Sequence, residues 1–237
     1  MDGGIDQKLI AGLSVVDGIN VDENIIELAK YNDPWAITQV GIGYSNKKDF
    51  EKARLWWNIP ATEGYGRAQI ELGCLFFNGE GVEENIDIAE YWFLEAEKNG
   101  VTEAIQHIGI IHATRGEYIT AIECYRQAAK NGSAAGQHAL GVCYMVGEGV
   151  SQDYSIAKNW LLLSAKQECR EAQYDVALLY ENGYGTSVDK QMALEWYNRS
   201  YENGFEPAIN KINSLHEEGY FGNPEQSIRL LISQFPV

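Results

Sequence analysis

The sequence is short of basic residues, of paired cysteines and of long apolar runs, and each shortage excludes a class of protein. Its 237 residues contain 18 Lys and Arg against 34 Asp and Glu, a formal net charge of −16. Non-specific binding to nucleic acid or to anionic lipid needs an excess of positive charge, so we expect neither partner. No stretch approaches the roughly 18 consecutive apolar residues of a membrane-spanning helix, so we expect no membrane span.

Cysteine usage indicates a reducing compartment. The four cysteines, at positions 74, 124, 143 and 169, show no CxxC motif and no regular pairing. Two of them fall at apolar positions of helical periodicity, which is typical of buried free thiols. The N-terminal residues, MDGGIDQKLIAGLSVVDG, lack the basic segment and unbroken apolar run of a secretory signal. We therefore expect a cytoplasmic protein.

What the sequence does contain is an internal repeat. Small residues open six successive units, which are 32 or 36 residues apart. These residues are Ala36, Ala68, Ala104, Gly136, Ala172 and Ala208. Self-similarity at this period is typical of arrays of helix pairs. The sequence therefore predicts an all-α protein in which each unit is one pair of helices.

Each unit has a recurrent pattern in both of its predicted helices. In the first helix an apolar residue and then often a glycine follow the small residue, as in Leu72-Gly73. Glycine inside a helix costs about 1 kcal/mol relative to alanine, so its recurrence predicts close approach of a neighbouring helix. In the second helix an alanine precedes two large residues, as in Trp56-Trp57 and Trp196-Tyr197. Four of the six tryptophans occupy one column, which predicts core residues between units rather than a cofactor site.

Glycine-rich segments separate the two helices in the longer units, at residues 78–82, 146–150 and 182–186. Their first glycine follows the first helix, where a left-handed C-terminal cap is needed. A dinucleotide- or phosphate-binding loop would require a preceding strand and a helix that starts directly at the glycines. Because a helix precedes these glycines and several residues intervene before the next helix, we interpret the segments as turns.

The order A-x-x-x-L-G-x-x-Y-x-x-G-x-G-V, then D-x-x-x-A-x-x-W-[FY], then a closing Asn-Gly, resembles the Sel-one-like repeat family. The pattern is clearest in the units that open at Ala68, Gly136 and Ala172. Units that open at Ala36 and Ala104 have shorter turns and are similar to the related tetratricopeptide repeat. The resemblance implies a right-handed α/α superhelix of about six to seven helix pairs. It also implies an adaptor for protein–protein contacts that is not catalytic.

We expect one solenoid domain over residues 1–237. Residues 1–35 are expected to form a degenerate N-terminal helix pair, residues 36–207 five repeats, and residues 208–237 a C-terminal capping pair. In the last unit polar residues such as Lys211, Asn213 and Glu217 replace apolar ones. A solvent-facing end of a repeat array needs such a polar surface.

The sequence shows no arrangement typical of a catalytic or metal site. His107 and His112 are five residues apart on one predicted helix, so they do not share a face as a metal-binding i, i+4 pair would. His138 has no second ligand nearby in sequence, and no Ser/His/Asp or Cys/His order is recognisable. We therefore expect no cofactor, no metal and no enzymatic activity.

The predicted interaction surface lies on the first helices, which line the concave groove in tetratricopeptide-like stacks. The columns that face this groove are the third, seventh, tenth and eleventh residues of each unit. The candidate partner-binding residues are Ile70, Cys74, Phe77, Asn78, Ile110, Thr114, His138, Val142, Met145, Tyr174, Leu178, Glu181 and Asn182. An exposed apolar strip with a polar rim is typical of a partner site. The alternative is that tight curvature buries these positions between helices.

Three functional hypotheses follow from these patterns. The first is a non-enzymatic adaptor that binds a protein or peptide through its concave face. The second is an acidic immunity or inhibitor protein that neutralises a basic toxin or effector, which the charge of −16 favours. The third is an enzyme, for which a ligand or metal in a deep pocket would be the distinguishing feature.

Overall fold

The computed structural model describes residues 21–218, and in this range the backbone forms twelve α-helices and no strand. The helices are α1 Glu23–Lys30, α2 Pro34–Asn46, α3 Phe50–Thr62, α4 Gly66–Asn78, α5 Ile86–Lys98, α6 Ala104–Thr114, α7 Tyr118–Lys130, α8 Ala134–Val146, α9 Tyr154–Ala165, α10 Arg170–Asn182, α11 Lys190–Glu202 and α12 Ala208–Glu217. Even-numbered helices from α2 onward are the first helices of the repeat, and the odd-numbered helices that follow them are the second. The predicted all-α repeat fold is confirmed.

The chain divides into two compact units, Met1–Arg115 and Gly116–Val237. In the first unit consecutive helices pack against each other, from the contact of α1 with α2 to the contact of α5 with α6. In the second unit the same holds from α7 to α12. The single solenoid domain over residues 1–237 stays a prediction. Residues 1–20 and 219–237, which include parts of both predicted end pairs, lie outside the described residues.

Left-handed glycines end the first helices of the longer units, as the sequence predicts. Gly79, Gly147 and Gly183 cap α4, α8 and α10 with φ angles of 67°, 85° and 72°. Side chains with an oxygen acceptor then begin the second helices. Asp153 and Asp189 cap α9 and α11, whereas Asn85 caps α5 and places Asp87 in its first turn. These local signals explain where each helix pair reverses direction.

The glycines inside the first helices allow the second helix of the same pair to come close. A Cβ atom on Gly41 would lie 2.3 Å from Nε1 of Trp57, and one on Gly73 would lie 2.4 Å from Cε1 of Phe93. Such distances are too short for any side chain, so only glycine allows this packing. The packing role predicted for the recurrent glycines is confirmed.

The tryptophan column is only partly buried, which corrects one expectation. Trp56 and Trp196 are buried, whereas Trp92 and Trp160 are half-buried. The residues that follow them in the chain form the fully buried column instead. This column consists of Trp57, Phe93, Leu161 and Tyr197. In α3 and α5 it is this second residue that packs on the glycine of the first helix, so it points more directly into the core.

A column of buried glutamines, which the sequence analysis did not single out, joins three successive helices. Gln173 in α10 donates from Nε2 to the carbonyl oxygen of Ala165 at 3.2 Å and accepts from Nδ2 of Asn203 at 3.0 Å. Gln69 and Gln137 make the equivalent pairs of bonds in their own units. Each glutamine therefore gives a second donor to a helix-end carbonyl that already accepts a backbone amide, and it finds partners for its own buried amide.

Candidate partner-binding faces

The predicted binding residues differ widely in exposure. Four of them are exposed, namely Asn78, Ile110, Thr114 and Asn182. Eight are half-buried, namely Cys74, Phe77, His138, Val142, Met145, Tyr174, Leu178 and Glu181. Ile70 is only 3% exposed, so the expectation that it lies on an open surface is wrong. Its side chain contributes to the core of the first unit instead.

In the second unit the half-buried apolar candidates also serve the core. Val142, Met145, Tyr174 and Leu178 pack against the buried cluster formed by α9 to α12. Tyr174 also lies with its ring centroid 5.2 Å from that of Tyr197 and 5.1 Å from that of Phe205. The alternative that packing between helices covers these positions is therefore correct in part. Their remaining exposed surface is what a partner can contact.

Two polar side chains, His138 and Glu181, connect the first helices of the second unit to neighbouring helices. Nε2 of His138 in α8 lies 2.7 Å from Oδ2 of Asp175 in α10. The Glu181 carboxylate in α10 accepts from the Tyr197 hydroxyl at 2.5 Å and from the Lys211 ammonium at 3.0 Å. Burial, together with the bond to Glu181, raises the pKa of Tyr197, so the phenol keeps its proton and remains a donor. Glu181 is therefore a structural link as well as a candidate contact.

A polar cluster lies on α4 and α6 of the first unit. A guanidinium nitrogen of Arg67 lies 2.6 Å from the Glu71 carboxylate and another lies 3.8 Å from Glu103. Burial raises the pKa of Glu71, while the charge of Arg67 opposes that rise. Burial and the nearby Glu71 raise the pKa of Cys74 to about 12, so its thiol is protonated at neutral pH and is a poor nucleophile.

His107 lies in α6, four residues after Glu103 of this cluster, and its ring packs against the core. Its ring stacks on Phe93, with centroids 4.7 Å apart and an angle of 11° between the planes. Burial lowers the pKa of His107, because a charged imidazolium loses its hydration there. The residue is therefore neutral at physiological pH and acts as an aromatic packing group.

The sequence analysis missed the fourth residue of each unit as part of this surface. That column is charged or titratable in four of the six units, at Glu71, His107, Asp175 and Lys211. Glu71, Asp175 and Lys211 make the polar contacts described above, whereas His107 stacks on Phe93. The aligned units carry the signal, because polar or charged residues occupy this column in five of the six units.

Within residues 21–218, no three His, Cys, Asp or Glu side chains come together in a way that would hold a metal ion. None of the helices in the same range is both long enough and apolar enough to cross a bilayer. None of the four cysteines forms a disulfide there.

Comparison with known proteins identifies the repeat. The family model described as Sel1 repeat matches residues 37–64, 66–101, 113–133, 134–169 and 170–205, which is more than half of the chain. A Sel1 repeat protein from Oxalobacter formigenes has a similar crystal structure, with 27% identity and a TM-score of 0.72. The match covers 85% of this chain and 86% of that one.

Two other proteins are similar over shorter parts. An F-box protein from Arabidopsis thaliana is 36% identical over 77 residues, which are 32% of this chain and 22% of that protein. An immunity protein from Pseudomonas aeruginosa has a similar crystal structure at 19% identity and a TM-score of 0.52. That match covers 66% of this chain and 60% of the immunity protein, and at this identity it shows the fold alone.

Proposed function

We propose that this chain, which belongs to the Sel1 repeat family, binds a protein or peptide partner through the exposed faces of its first helices. Sel1 repeat proteins are generally non-catalytic scaffolds for protein interactions. The observation that carries the proposal is the exposure of two apolar side chains on these helices. Ile110 in α6 is 37% exposed and Val146 in α8 is 51% exposed.

Val146 shows why packing does not explain this exposure. The equivalent positions in the other units that share this repeat hold Asn46, Asn78, Thr114 and Asn182, all of them exposed and polar. An exposed valine in place of these residues therefore serves no need of the fold. Half-buried apolar residues such as Met145 lie beside it in the chain and extend the apolar surface. Exposed apolar groups with a polar rim are typical of partner sites.

The proposal includes a non-enzymatic role in the cytoplasm. Burial raises the pKa of both Cys74 and Cys143, to about 12 and about 11, which removes two candidate nucleophiles at neutral pH. Cysteines that persist as thiols are typical of a reducing compartment.

The test is a comparison of two double variants in a pull-down from the native host with identification by mass spectrometry. Ile110→Glu with Val146→Glu places charge on the first-helix faces. Ile156→Glu with Leu163→Glu is the matched control on α9, where the side chains are 37% and 46% exposed. We expect the first variant to weaken capture of the partner by about tenfold or more, since charge replaces apolar contacts.

The control variant should retain the partner, and both variants should keep the helicity and melting temperature of the original protein. Retention of the partner by the Ile110→Glu, Val146→Glu protein would contradict the proposal. So would equal loss by both variants.

A second candidate is an inhibitor that neutralises a basic toxin or effector. The net charge of −16 supports it, because such a charge attracts a basic protein and accelerates encounter. The fold shared with the Pseudomonas aeruginosa immunity protein is compatible with this role but does not assign it. The discriminating test is co-expression with the recovered partner. An inhibitor relieves the growth defect that the partner causes alone, whereas an adaptor leaves it unchanged.

A further inference from the structure

Helix α5 exposes an apolar stripe that the proposed function does not use. Ile88, Tyr91 and Leu94 are 38%, 55% and 40% exposed, and we call these three residues the α5 stripe. They are three residues apart, so they lie within roughly 120° of the helix surface and extend about 9 Å along its axis. The stripe lies on a second helix, whereas the proposed binding faces lie on first helices.

The repeat itself shows that the fold does not require an apolar stripe here. The equivalent three positions are polar throughout α7. In the other second helices they are interrupted by polar residues, namely Lys52 and Asn58 in α3, Asn159 in α9, and Glu195 and Asn198 in α11. Helices α3, α9 and α11 pack against their first helices without the stripe. Its presence in α5 therefore indicates a role outside the core.

The surroundings of the stripe are acidic. Residues 83–98 contain six carboxylates and one lysine. Two of the carboxylates, Asp87 and Glu90, bind the guanidinium of Arg115 at 2.8 Å. Glu83, Glu84 and Glu97 are exposed. The remaining negative charge favours a positively charged occupant, and it disfavours a second copy of a chain whose net charge is −16.

Backbone chemistry limits the conformation of the occupant. A helix such as α5 has no free row of backbone donors and acceptors along its side, so it cannot accept an added β-strand. An extended segment laid on the stripe would bury its own backbone groups against apolar side chains without partners. A helix satisfies its backbone internally and can place an apolar face along another helix.

We propose that the α5 stripe is a second docking surface, and that its occupant is an amphipathic helix of a partner protein with Lys and Arg beside its apolar face. This surface is separate from the first-helix faces and extends the proposed function. Tyr91 is the most exposed member and the natural anchor, since aromatic residues dominate binding energy at such contacts.

The test uses a defined peptide probe. A fluorescently labelled peptide of about 18 residues carries leucines on one helical face and lysines on the other. A peptide of the same composition in scrambled order has no apolar face. Binding to the full chain is measured by fluorescence anisotropy at a salt concentration of about 150 mM, where the Debye length of about 8 Å screens long-range attraction.

We expect the amphipathic peptide to bind about tenfold or more tightly than the scrambled one. The variant Tyr91→Glu with Leu94→Glu should weaken binding by about tenfold or more, because it removes the apolar contacts and adds charge. The matched control, Ile156→Glu with Leu163→Glu on α9, adds the same charge and should change binding less than about twofold.

Equal binding of both peptides, or equal loss in both variants, would show general attraction to an acidic protein and overturn the proposal. Size-exclusion chromatography with light scattering tests the other occupant. A dimer that Tyr91→Glu with Leu94→Glu converts to a monomer would assign the stripe to a second copy and also overturn it. The Ile110→Glu, Val146→Glu protein leaves α5 intact, so this assay and the test of the first-helix faces fail independently.

Discussion

At the scale of single residues, one position departs from the rule that glycine follows the second helices α3 to α11. Glu168 follows α9 with a φ angle of 64°, in the left-handed region. The equivalent residues after α5 and α11 are Gly100 and Gly204, with φ angles of 84° and 88°. A residue with a Cβ atom is strained in this conformation. The turn after α9 is therefore less stable than its counterparts.

Replacing Glu168 by glycine should stabilise the protein. The left-handed conformation costs a non-glycine residue about 1–2 kcal/mol, and the greater freedom of glycine in the unfolded chain offsets part of the gain. We expect the free energy of unfolding to rise by about 0.5–1 kcal/mol, measured by urea denaturation. Lys166→Gly, two residues earlier where φ is −67°, is the control and should give no gain. An equal gain from both variants would contradict this explanation.

His107 makes a second prediction at the same scale, in the pH dependence of stability. Burial lowers the pKa of His107 in the folded protein below its unfolded value of about 6.5. The unfolded state therefore binds more protons as pH falls through about 6.5, and the free energy of unfolding decreases. His107→Phe keeps a ring against Phe93, so the free energy of unfolding should decrease less between pH 7.5 and pH 5.5 than it does in the original protein. Denaturation midpoints at the two pH values measure the difference. An unchanged pH dependence in the variant would show that His107 does not contribute.

At the scale of helices, the recurrent glycines and the buried glutamines have complementary roles. Gly73 allows α5 to approach α4, where a Cβ atom would lie 2.4 Å from Phe93. Gln69 then joins α4 to the ends of the flanking second helices. The first contact sets the distance within a pair of helices, and the second connects one pair to the next. Both recur at the period of the repeat.

Substitution of Gln173 tests the importance of the glutamine column. Gln173→Met keeps a side chain of similar length but leaves the Ala165 carbonyl and the Asn203 amide without this partner. The Ala165 carbonyl keeps its bond from the Glu168 amide, so the variant loses two hydrogen bonds, and we expect the free energy of unfolding to fall by about 1–3 kcal/mol. Gln191→Met, at an exposed position of α11, is the matched control and should have little effect. Equal stability of the two variants would contradict the prediction.

At the scale of the whole molecule, the dominant feature is negative charge. The net charge of −16 favours solubility and attraction of a basic partner. If the proposed partner is basic, its association rate should fall by about tenfold or more as salt increases from 50 to 500 mM, because the charges become screened. The dissociation rate should change much less. Surface plasmon resonance with the recovered partner measures both rates, and an association rate that does not depend on salt would exclude a basic partner.

The Ile110→Glu, Val146→Glu variant provides the matching control for this measurement. Loss of local apolar contacts acts mainly on dissociation, whereas screening acts mainly on encounter. The two perturbations should therefore change different rates. A variant that slows association as strongly as salt does would contradict this expectation, because two added carboxylates can only strengthen the attraction to a basic partner.

The amino-acid sequence alone predicts the repeat, the helix pairs and the glycine caps. These features depend on helical periodicity and on left-handed backbone angles, which are local properties of the chain. It also indicated that Gly73 marks a close approach of helices, because glycine within a helix needs a packing reason. The column of glutamines was present in the aligned units as well, and each carries an amide that a buried position must satisfy.

Which side of each first helix remains exposed follows from the packing of the helices and could not be predicted from the repeat. Ile70 is buried although Ile110, which also lies on a first helix, is exposed, since the offset between neighbouring pairs determines what covers each position. The same offset brings His138 in α8 to Asp175, 37 residues away in the first helix of the next pair. The repeat period does not encode that offset. It results from the volumes of side chains packed between successive helices, which are properties of the whole core rather than of any one unit.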